Sequence, residues 1–259
     1  HVLRGKDHLN NTLKQKWIYK YLEWDEPEYI HYGLVSIPNT NLKTSKIRES
    51  IKNGEFSGWD DCRLATLKGL ARRGYRPETF LKYWENSGLK EVDIKFSWQN
   101  FDAMNKDLID SDTRRLFFVS NPVEFTMETS DKLVKDAPWH PDKPELGKRE
   151  EEIVTGSKIY LQESDVDSFN QDTAVRLKNL CNVSVDGTKL SFSGMKPEKG
   201  SKILQWCSAH TSIELVYPDG KTVSGIVEDN ISELDGETVQ FERVGFVRLE
   251  GKKAFFLHR

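Results

Sequence analysis

The spacing of apolar residues divides the chain into stretches of different character. Over residues 1–54, a short apolar strand, HVLR, comes before a segment whose apolar residues recur at helical spacing: Leu13, Trp17, Ile18, Tyr21 and Leu22. Asn10 and Asn11 are candidate N-caps for that helix, and a second strand-like stretch follows over residues 29–37. This alternation of strand and helix is typical of an α/β domain.

Residues 55–117 are predicted to be helical. Three apolar stripes at helical spacing predict three helices: Leu64, Leu67 and Leu70; Phe80, Leu81 and Trp84; and Trp98, Phe101, Met104 and Leu108. Gly74 and Gly88 stand where helix C-caps are expected, Pro77 suits a first helical turn, and Ser97 can cap the third helix.

From residue 118 the apolar period changes to two. Short alternating segments are separated by turn signals, among them Asp186-Gly187, a strong two-residue hairpin signal, and the turn at residues 218–220. The stretch 136–149 holds three of the nine prolines and is predicted to be a structured loop. Many short strands with such turns indicate a β-barrel or a sandwich.

Composition narrows the class of protein. The 259 residues are 37% apolar and 31% charged, with a net charge of −3. This apolar content suffices for one or two hydrophobic cores. No apolar run approaches the length needed to cross a bilayer. Three widely spaced cysteines without a C-x-x-C pair indicate reduced thiols and no zinc site. We therefore expect a cytoplasmic protein without membrane contact, and the start at His1 within a strand suggests a fragment.

Basic residues cluster at three places, each of which is either part of a nucleic-acid-binding face or an ordinary solvated face. The clusters are Lys68, Arg72, Arg73 and Arg76; Lys143, Lys148 and Arg149; and Arg176 and Lys178.

The tetrapeptide at residues 43–46, KTSK, lies in a polar segment after a predicted strand. It resembles the KMSKS loop of class I aminoacyl-tRNA synthetases, from which it departs at Thr44 and Ile47. Lysines on a mobile loop can stabilise the charge that builds on the ATP phosphates during amino-acid activation. The resemblance implies that Lys43, Ser45 and Lys46 are catalytic.

A longer block at residues 58–78, GWDDCRLATLKGLARRGYRPE, resembles the G-W-D-D-P-R-x-x-T motif of glutamyl- and glutaminyl-tRNA synthetases, with Cys62 in place of proline. In that family the segment opens the helical stem-contact subdomain. The resemblance implies that Asp60, Asp61 and Arg63 contact tRNA. A local ion-pair and capping cluster at a helix N-terminus is the alternative.

Three further blocks extend the resemblance in the family's order: WHPDKPELGKREEEIVTGSK, ILQWCSA and FERVGFVRLEG. They are similar to parts of the anticodon-binding barrels of the archaeal and eukaryotic glutamyl enzymes and of the glutaminyl enzymes. The implied fold is multidomain, α/β plus α plus all-β. Residues 1–54 would be the C-terminal part of a Rossmann-like class I catalytic domain, 55–117 the helical stem-contact subdomain, and 118–259 two β-barrels, the distal one at about 136–212.

The choice between glutamate and glutamine depends on the N-terminal stretch. Arg4 stands where glutamyl enzymes have an arginine, and a guanidinium can hold a carboxylate by two charge-assisted bonds. Ile30 matches an apolar residue of glutamyl enzymes, and the resemblance implies that Arg4 and Ile30 contact the glutamate substrate. The alternatives are a salt bridge from Arg4 to Asp7 and simple core packing of Ile30.

For the tRNA, the resemblance makes Arg149 the arginine that reaches an anticodon base. Arg176, Lys178 and Asn179, placed on a strand of the same barrel, are further candidates for phosphate or base contact.

The implied reaction is the ATP-dependent ligation of L-glutamate to tRNA(Glu) through glutamyl-adenylate. ATP arrives as a substrate with Mg²⁺, no metal is held by the protein alone, and a monomer is expected. Charging of tRNA(Gln), a glutaminyl-tRNA synthetase, and a non-catalytic tRNA-binding module derived from such an enzyme stay open. The family's H-I-G-H tetrapeptide does not occur in these 259 residues, so we expect the chain alone to form no adenylate.

Overall fold

The computed structural model describes residues 1–38, 40, 42–169, 174–229 and 231–259. Two positions of the polar segment after the second predicted strand, 39 and 41, lie outside the described residues. Contacts divide the chain into two compact units, residues 1–53 with 76–108, and residues 54–75 with 109–259. The division at 54/55 and 117/118 that the sequence suggests is a different partition and stays a prediction.

Among the described residues the helices are α1 Leu9–Tyr21, α2 Thr44–Lys52, α3 Leu67–Arg73, α4 Pro77–Ser87, α5 Trp98–Ile109 and α6 Glu163–Val166. The strands are β1 Val2–Gly5, β2 Tyr29–Tyr32, β3 Val35–Ser36, β4 Ile94–Lys95, β5 Arg115–Leu116, β6 Phe118–Ser120, β7 Pro122–Glu128, β8 Leu133–Pro138, β9 Lys148–Ile153, β10 Lys158–Gln162, β11 Val175–Leu177, β12 Asn182–Asp186, β13 Lys189–Gly194, β14 Lys202–Leu204, β15 Trp206–Cys207, β16 His210–Val216, β17 Thr222–Glu228, β18 Thr238–Phe241, β19 Gly245–Glu250 and β20 Lys253–His258.

In the first unit, β1 and β2 pair in parallel and α1 lies between them in the chain. The helix begins at Leu9 with His8 as its N-cap, so the prediction of Asn10 or Asn11 as the cap is wrong. Its apolar stripe is solvent-exposed in the described structure, with Tyr21 87% exposed, while Thr12 is buried. No described part of the chain covers this stripe. The apolar periodicity of the sequence predicts which face of the helix is apolar, but it does not predict what covers that face.

The helices α4 and α5 enclose an aromatic cluster. Tyr83, Phe96 and Phe101 meet with ring centroids 4.7–5.6 Å apart, and the Tyr83 hydroxyl accepts the Ser97 N–H at 2.9 Å. The predicted end signals are confirmed: Pro77 stands in the first turn of α4, Gly88 ends it with a φ of +64°, and Ser97 accepts the Asn100 N–H.

In the second unit, Thr66 is the N-cap of α3, and its hydroxyl accepts the Gly69 N–H. Gly74 is the C-cap of this helix, with a φ of +108°, which confirms that part of the prediction. Leu64 is buried but lies before α3, and Leu67 is exposed, so of the predicted three-leucine stripe only Leu70 is a buried residue of the helix. In α4, which belongs to the first unit, Leu81 is exposed as well. Both residues stand next to the buried rows of their helices.

Two seven-stranded sheets form most of the second unit, in the orders β14-β11-β12-β13-β7-β10-β15 and β5-β18-β19-β20-β16-β17-β6. Each covers its own apolar cluster. Residues 116–119 contribute side chains to both apolar clusters. Leu116 and Phe118 belong to one cluster, whereas Phe117 and Val119 belong to the other. Successive side chains of an extended segment point to opposite faces, so this segment forms a wall between the two cores.

The predicted turns of the all-β part are confirmed. Gly187, with a φ of +57°, lies in the tight turn between β12 and β13, and Gly220, with a φ of +87°, ends the turn between β16 and β17. The proline-rich stretch 136–149 is structured, because β8 pairs with β9 and the Trp139 N–H donates to the Gly147 carbonyl at 3.0 Å across it.

The turn after β18 joins the second sheet to the first. Arg243 donates two hydrogen bonds to the buried Asp165, at 2.6 and 3.0 Å, and Lys178 pairs with Glu242. The Arg243 hydrogen bonds lower the pKa of Asp165 although burial opposes the shift. This ion pair thus ties α6 to the β18–β19 turn.

Candidate substrate and tRNA sites

The KTSK segment lies at the beginning of a helix and not in a loop, which corrects the prediction from sequence. Lys43 is the N-cap of α2, and Ser45 and Lys46 are exposed in its first turn. Ile47 is buried and fixes this turn to the unit. The first N–H groups of a helix lack intrahelical partners and carry partial positive charge, so this end of α2 combines two lysines with an anion-binding terminus.

Arg4 lies on β1, in register with His31 of β2, whereas Ile30 is in register with Leu3. Side chains alternate along a strand, so Arg4 and Ile30 point to opposite faces of this two-stranded sheet. The structure therefore does not bring the two predicted glutamate contacts together. Ile30 is partly buried, as in the packing alternative.

The Arg4 guanidinium is held by uncharged groups. It donates to Gln15 Oε1 at 2.5 Å and lies 5.1 Å from the centre of the Tyr29 ring. Within the described residues no carboxylate lies within ion-pair distance of Arg4, and the carboxylate of Asp7 pairs with His8 at 3.8 Å. The Arg4–Asp7 salt bridge is therefore not formed, and the positive charge has no counter-charge of its own.

Asp61 organises the loop before α3. Its buried carboxylate accepts the N–H groups of Ser57 and Arg63, each at 3.0 Å, and two further hydrogen bonds from the Arg63 guanidinium, at 2.9 and 2.7 Å. The hydrogen bonds from Arg63 hold the pKa of Asp61 well below its usual range, although burial opposes this shift. This is the geometry of the local ion-pair and capping alternative, and a tRNA contact by Asp61 or Arg63 stays a prediction.

Replacing Asp61 by asparagine is expected to reduce the free energy of unfolding by about 1–3 kcal/mol at pH 7, since buried donors lose a charged acceptor. Because the carboxyl has a lower pKa folded than unfolded, its stabilisation is complete above the ordinary value of 3.8 and is lost progressively as the pH falls from there through the folded pKa. Urea unfolding of both proteins between pH 7 and pH 2.5 tests this. The difference between them should shrink as the pH falls, and a constant difference would contradict the explanation. Asp60→Asn, at a neighbouring carboxyl that is 57% exposed, is the control.

The first basic cluster is largely used inside the protein. Arg72 makes two hydrogen bonds to Glu250, at 2.9 and 2.7 Å, and lies 3.4 Å from Asp60. Arg73 is buried and donates to the carbonyls of Phe256 and Leu257. These two arginines attach α3 to the second sheet, so they do not form an open face for nucleic acid.

Arg149 lies on β9 with its side chain only 10% exposed. Its guanidinium pairs with Glu228 at 3.2 Å, donates to the carbonyl of Arg115, and lies 4.8 Å from the centre of the Trp139 ring. It is therefore not a solvent-exposed arginine of a charged loop. It borders a cavity of ≈ 260 Å³ that Trp139, Glu151 and Glu228 also line.

Two residues of this region, Lys135 and Glu228, were missed by sequence reasoning. Lys135 is 1% exposed and pairs with Glu228. One signal was present: Lys135 occupies an inward position of β8, between Leu133 and Ala137, where an apolar residue is expected. No local signal identifies Glu228 as its partner, because 93 positions separate the two.

The remaining tRNA candidates lie close in sequence but in different settings. Arg176 is on β11 and donates to Asn182 Oδ1 at 2.7 Å, whereas Lys178 and Asn179 lie in the turn after that strand, which corrects the prediction of a strand. Asn179 has a φ of +61°, a conformation that asparagine tolerates well. Lys178 and Arg149 both approach the Phe117 ring, at 5.7 and 5.5 Å, so the structure brings these two candidates to one place.

The described residues include neither a metal-binding cluster nor a helix that could cross a bilayer. No group of three or more His, Cys, Asp or Glu side chains there is placed to hold a metal ion. Cys62, Cys181 and Cys207 are separate buried thiols, and burial raises the pKa of Cys181 to about 11. Of the helices in the described ranges, none has the length and apolar character required to cross a bilayer.

Comparison with known families matches two adjoining parts of the chain. Residues 1–111 match the model for tRNA synthetases class I (E and Q), catalytic domain, and residues 113–201 match the model for the anti-codon binding domain of the same synthetases. The chain belongs to the class I tRNA synthetases of the E and Q type.

Its curated relatives are similar over nearly all of these residues. Glutamate--tRNA ligase of Thermoplasma volcanium is 41% identical, over 100% of this chain and 47% of the relative. The ligase of the same name from Methanocaldococcus jannaschii is 40% identical, over 97% of this chain and 47% of the relative, and that of Methanopyrus kandleri is 38% identical, over 100% and 49%. The chain thus spans about half the length of the curated relatives it matches.

Proposed function

We propose that this chain acts in the ATP-dependent ligation of L-glutamate to tRNA(Glu), through glutamyl-adenylate, within a ligase of the length of its relatives. The observation that carries the proposal is the identity of 41% over the whole chain with a protein named glutamate--tRNA ligase. In this assignment the chain supplies the lysine-bearing end of α2 and the tRNA-binding part. We further propose that such an enzyme is cytoplasmic and monomeric.

The proposed domains follow the resemblance. Residues 1–54 are assigned to the C-terminal part of a Rossmann-like catalytic domain, which the parallel pair β1 and β2 with the intervening α1 supports. Residues 55–117 are assigned to a helical stem-contact subdomain and 118–259 to two anticodon-binding β-barrels. The two seven-stranded sheets, each with its own apolar cluster, support the assignment of two all-β bodies.

Lys43, Ser45 and Lys46 are proposed to act on ATP. The first turn of α2 presents helix N–H groups together with the two lysines, an arrangement suited to the triphosphate in the transition state. Mg²⁺ would be held mainly by the phosphate oxygens, as its preference for oxygen ligands and water predicts.

Arg4 is proposed to bind the side-chain carboxylate of glutamate. The support is that its charge has no carboxylate partner within the described residues while Gln15 and Tyr29 hold it in place. A neutral glutamine amide would leave that charge uncompensated, which favours glutamate over glutamine. Ile30, on the other face of the sheet, is proposed only as a packing neighbour of this site.

Arg149 is proposed to read an anticodon base. Trp139 beside it offers a ring on which an unpaired base can stack, and Lys178 adds positive charge at the same place. Arg176 and Asn179 are proposed as contacts to neighbouring phosphates or bases. Asp60, Asp61 and Arg63 are proposed to contact tRNA as one preformed loop.

Replacing Arg149 by alanine is expected to weaken binding of this chain to an unmodified tRNA(Glu) transcript by roughly 5- to 150-fold, the cost of one base-reading arginine. The measurement is fluorescence anisotropy with transcripts of tRNA(Glu), tRNA(Gln) and an unrelated tRNA at two salt concentrations. Lys132→Ala, which removes an exposed lysine near the beginning of the same hairpin, is the matched control and should change little.

Equal, salt-sensitive binding of the wild-type chain to all three transcripts would indicate phosphate attraction alone and would overturn the assignment of the anticodon site. Equal binding to the first two but not the third would favour charging of both tRNAs. Specific binding without ligase activity of the full-length enzyme would favour the alternative of a non-catalytic tRNA-binding module.

A further inference from the structure

Glu228, at the end of β17, lies at the centre of the buried charges beside Arg149. Its Oε2 accepts the Phe117 N–H at 2.7 Å and pairs with Arg149 Nη2 at 3.2 Å. Its Oε1 accepts the Lys135 ammonium and Arg149 Nε, the latter at 3.2 Å. Both oxygens of a side chain that is 6% exposed are therefore occupied by groups of the protein.

The Arg149 guanidinium is fixed in one orientation by these bonds. Nε and Nη2 face Glu228, Nη1 donates to the Arg115 carbonyl and lies 3.4 Å from the Pro138 carbonyl, and Cζ lies 4.8 Å from the centre of the Trp139 ring. A guanidinium has five N–H donors in a rigid fork, so contacts on two edges set the direction of the donors that remain.

The same carboxylate also neutralises Lys135, which is enclosed by protein. The Lys135 ammonium lies 4.9 Å from the Phe117 ring and 4.6 Å from the Trp206 ring, and its other carboxylate neighbour, Glu151, is 3.8 Å away. Without Glu228, two cations would share a small enclosed volume with little compensation, and breaking such a pair is strongly unfavourable.

The network borders an open space. The cavity of ≈ 260 Å³ is lined by Lys135, Trp139, Arg149, Glu151 and Glu228 among others. It is below the size of drug-sized pockets, about 300–1,000 Å³, and so has room for one small planar group. Arg149 and Trp139 lie at the same wall, and Glu228 determines which way the guanidinium faces.

We propose that Glu228 is a positioning residue for anticodon reading: it orients Arg149 toward the base and neutralises Lys135, without itself touching the RNA. This inference rests on the proposed role of Arg149. Direct contact by Glu228 is disfavoured because both of its oxygens already accept hydrogen bonds from the protein and because a carboxylate repels phosphate.

The test compares discrimination, defined as the ratio of Kd for a transcript with substituted anticodon bases to Kd for tRNA(Glu). Glu228→Gln keeps the shape of the side chain but removes its charge, and we expect discrimination to fall on the order of tenfold, as for a lost base contact. The double variant Glu228→Gln with Lys135→Met also removes the ammonium that Glu228→Gln alone leaves uncompensated. It replaces the single variant in the measurement if Glu228→Gln alone does not fold. Glu152→Gln, an exposed carboxylate of the same hairpin, is the control.

Arg149→Ala separates the inference from the function on which it rests. If Arg149→Ala loses discrimination and the folded Glu228 variants lose it equally, with no further loss when Arg149→Ala is combined with Glu228→Gln and Lys135→Met, the inference holds. If Arg149→Ala loses discrimination while the folded Glu228 variants keep the wild-type ratio, the inference is overturned and the proposed function stands. If Arg149→Ala itself keeps the wild-type ratio, both are overturned.

Discussion

Replacing Lys46 by alanine is expected to lower the turnover of ATP–pyrophosphate exchange by about 100- to 1,000-fold in a full-length ligase that carries this segment. That is the usual cost of removing one preorganised group that stabilises charge in a transition state. Lys46 lies exposed in the first turn of α2, directly before the buried Ile47, so the substitution removes an ammonium without opening a cavity. Lys43→Ala should behave similarly.

The effect should appear in kcat rather than in the KM for ATP, because the proposed interaction strengthens as pyrophosphate leaves. Lys52→Ala, at the last residue of the same helix and likewise exposed, is the matched control and should leave the exchange rate unchanged. A rise in KM for ATP at constant kcat would instead show that the lysine binds ATP equally strongly in the ground state and in the transition state. A loss of the same size in Lys52→Ala would show that α2 itself had been disturbed.

The local signals of the sequence predicted the structure best where a single residue type decides the backbone. Gly74, Pro77, Gly88 and Gly187 mark helix ends and a tight turn because their backbone preferences act without distant partners. The prediction for the N-cap of α1 is wrong because Asn10 and Asn11, two and three positions after His8, match the N-cap preference, whereas His8 makes no side-chain capping bond.

Local sequence patterns did not predict which strands pair when they are far apart in the chain. In the first sheet β11 pairs in parallel with β14, and β7 with β13, which are far apart in the chain. An alternating pattern tells which face of a strand is buried but does not identify its neighbour. The site shows the same limit: resemblance pointed to Arg149, whereas its partner Glu228 lies 79 positions away. The sequence also did not predict that Arg72 and Arg73 bind groups of the protein itself. A basic cluster has the same composition whether it binds RNA or the protein's own acceptors.

Replacing Arg4 by alanine is expected to lower kcat/KM for glutamate by about 30- to 5,000-fold in the full-length ligase, which corresponds to the roughly 2–5 kcal/mol lost when one partner of a buried charge pair is removed. The reason is the electrostatic setting of the residue. Gln15 and Tyr29 hold the guanidinium without neutralising it, so a substrate carboxylate would supply the missing counter-charge.

Two further variants make this prediction specific. Arg4→Lys keeps the charge but loses the planar fork, so its activity should fall between those of the wild type and the alanine variant. Lys16→Ala removes the other cation near the Tyr29 ring, at 5.7 Å, which is already paired with Glu26, and should leave kcat/KM for glutamate unchanged. Activation measured with glutamine in parallel decides the substrate. If Arg4→Ala lowers activity with glutamate but not with glutamine, Arg4 selects glutamate by its charge; if both fall equally, Arg4 supports the sheet β1–β2 and the choice of amino acid is made elsewhere.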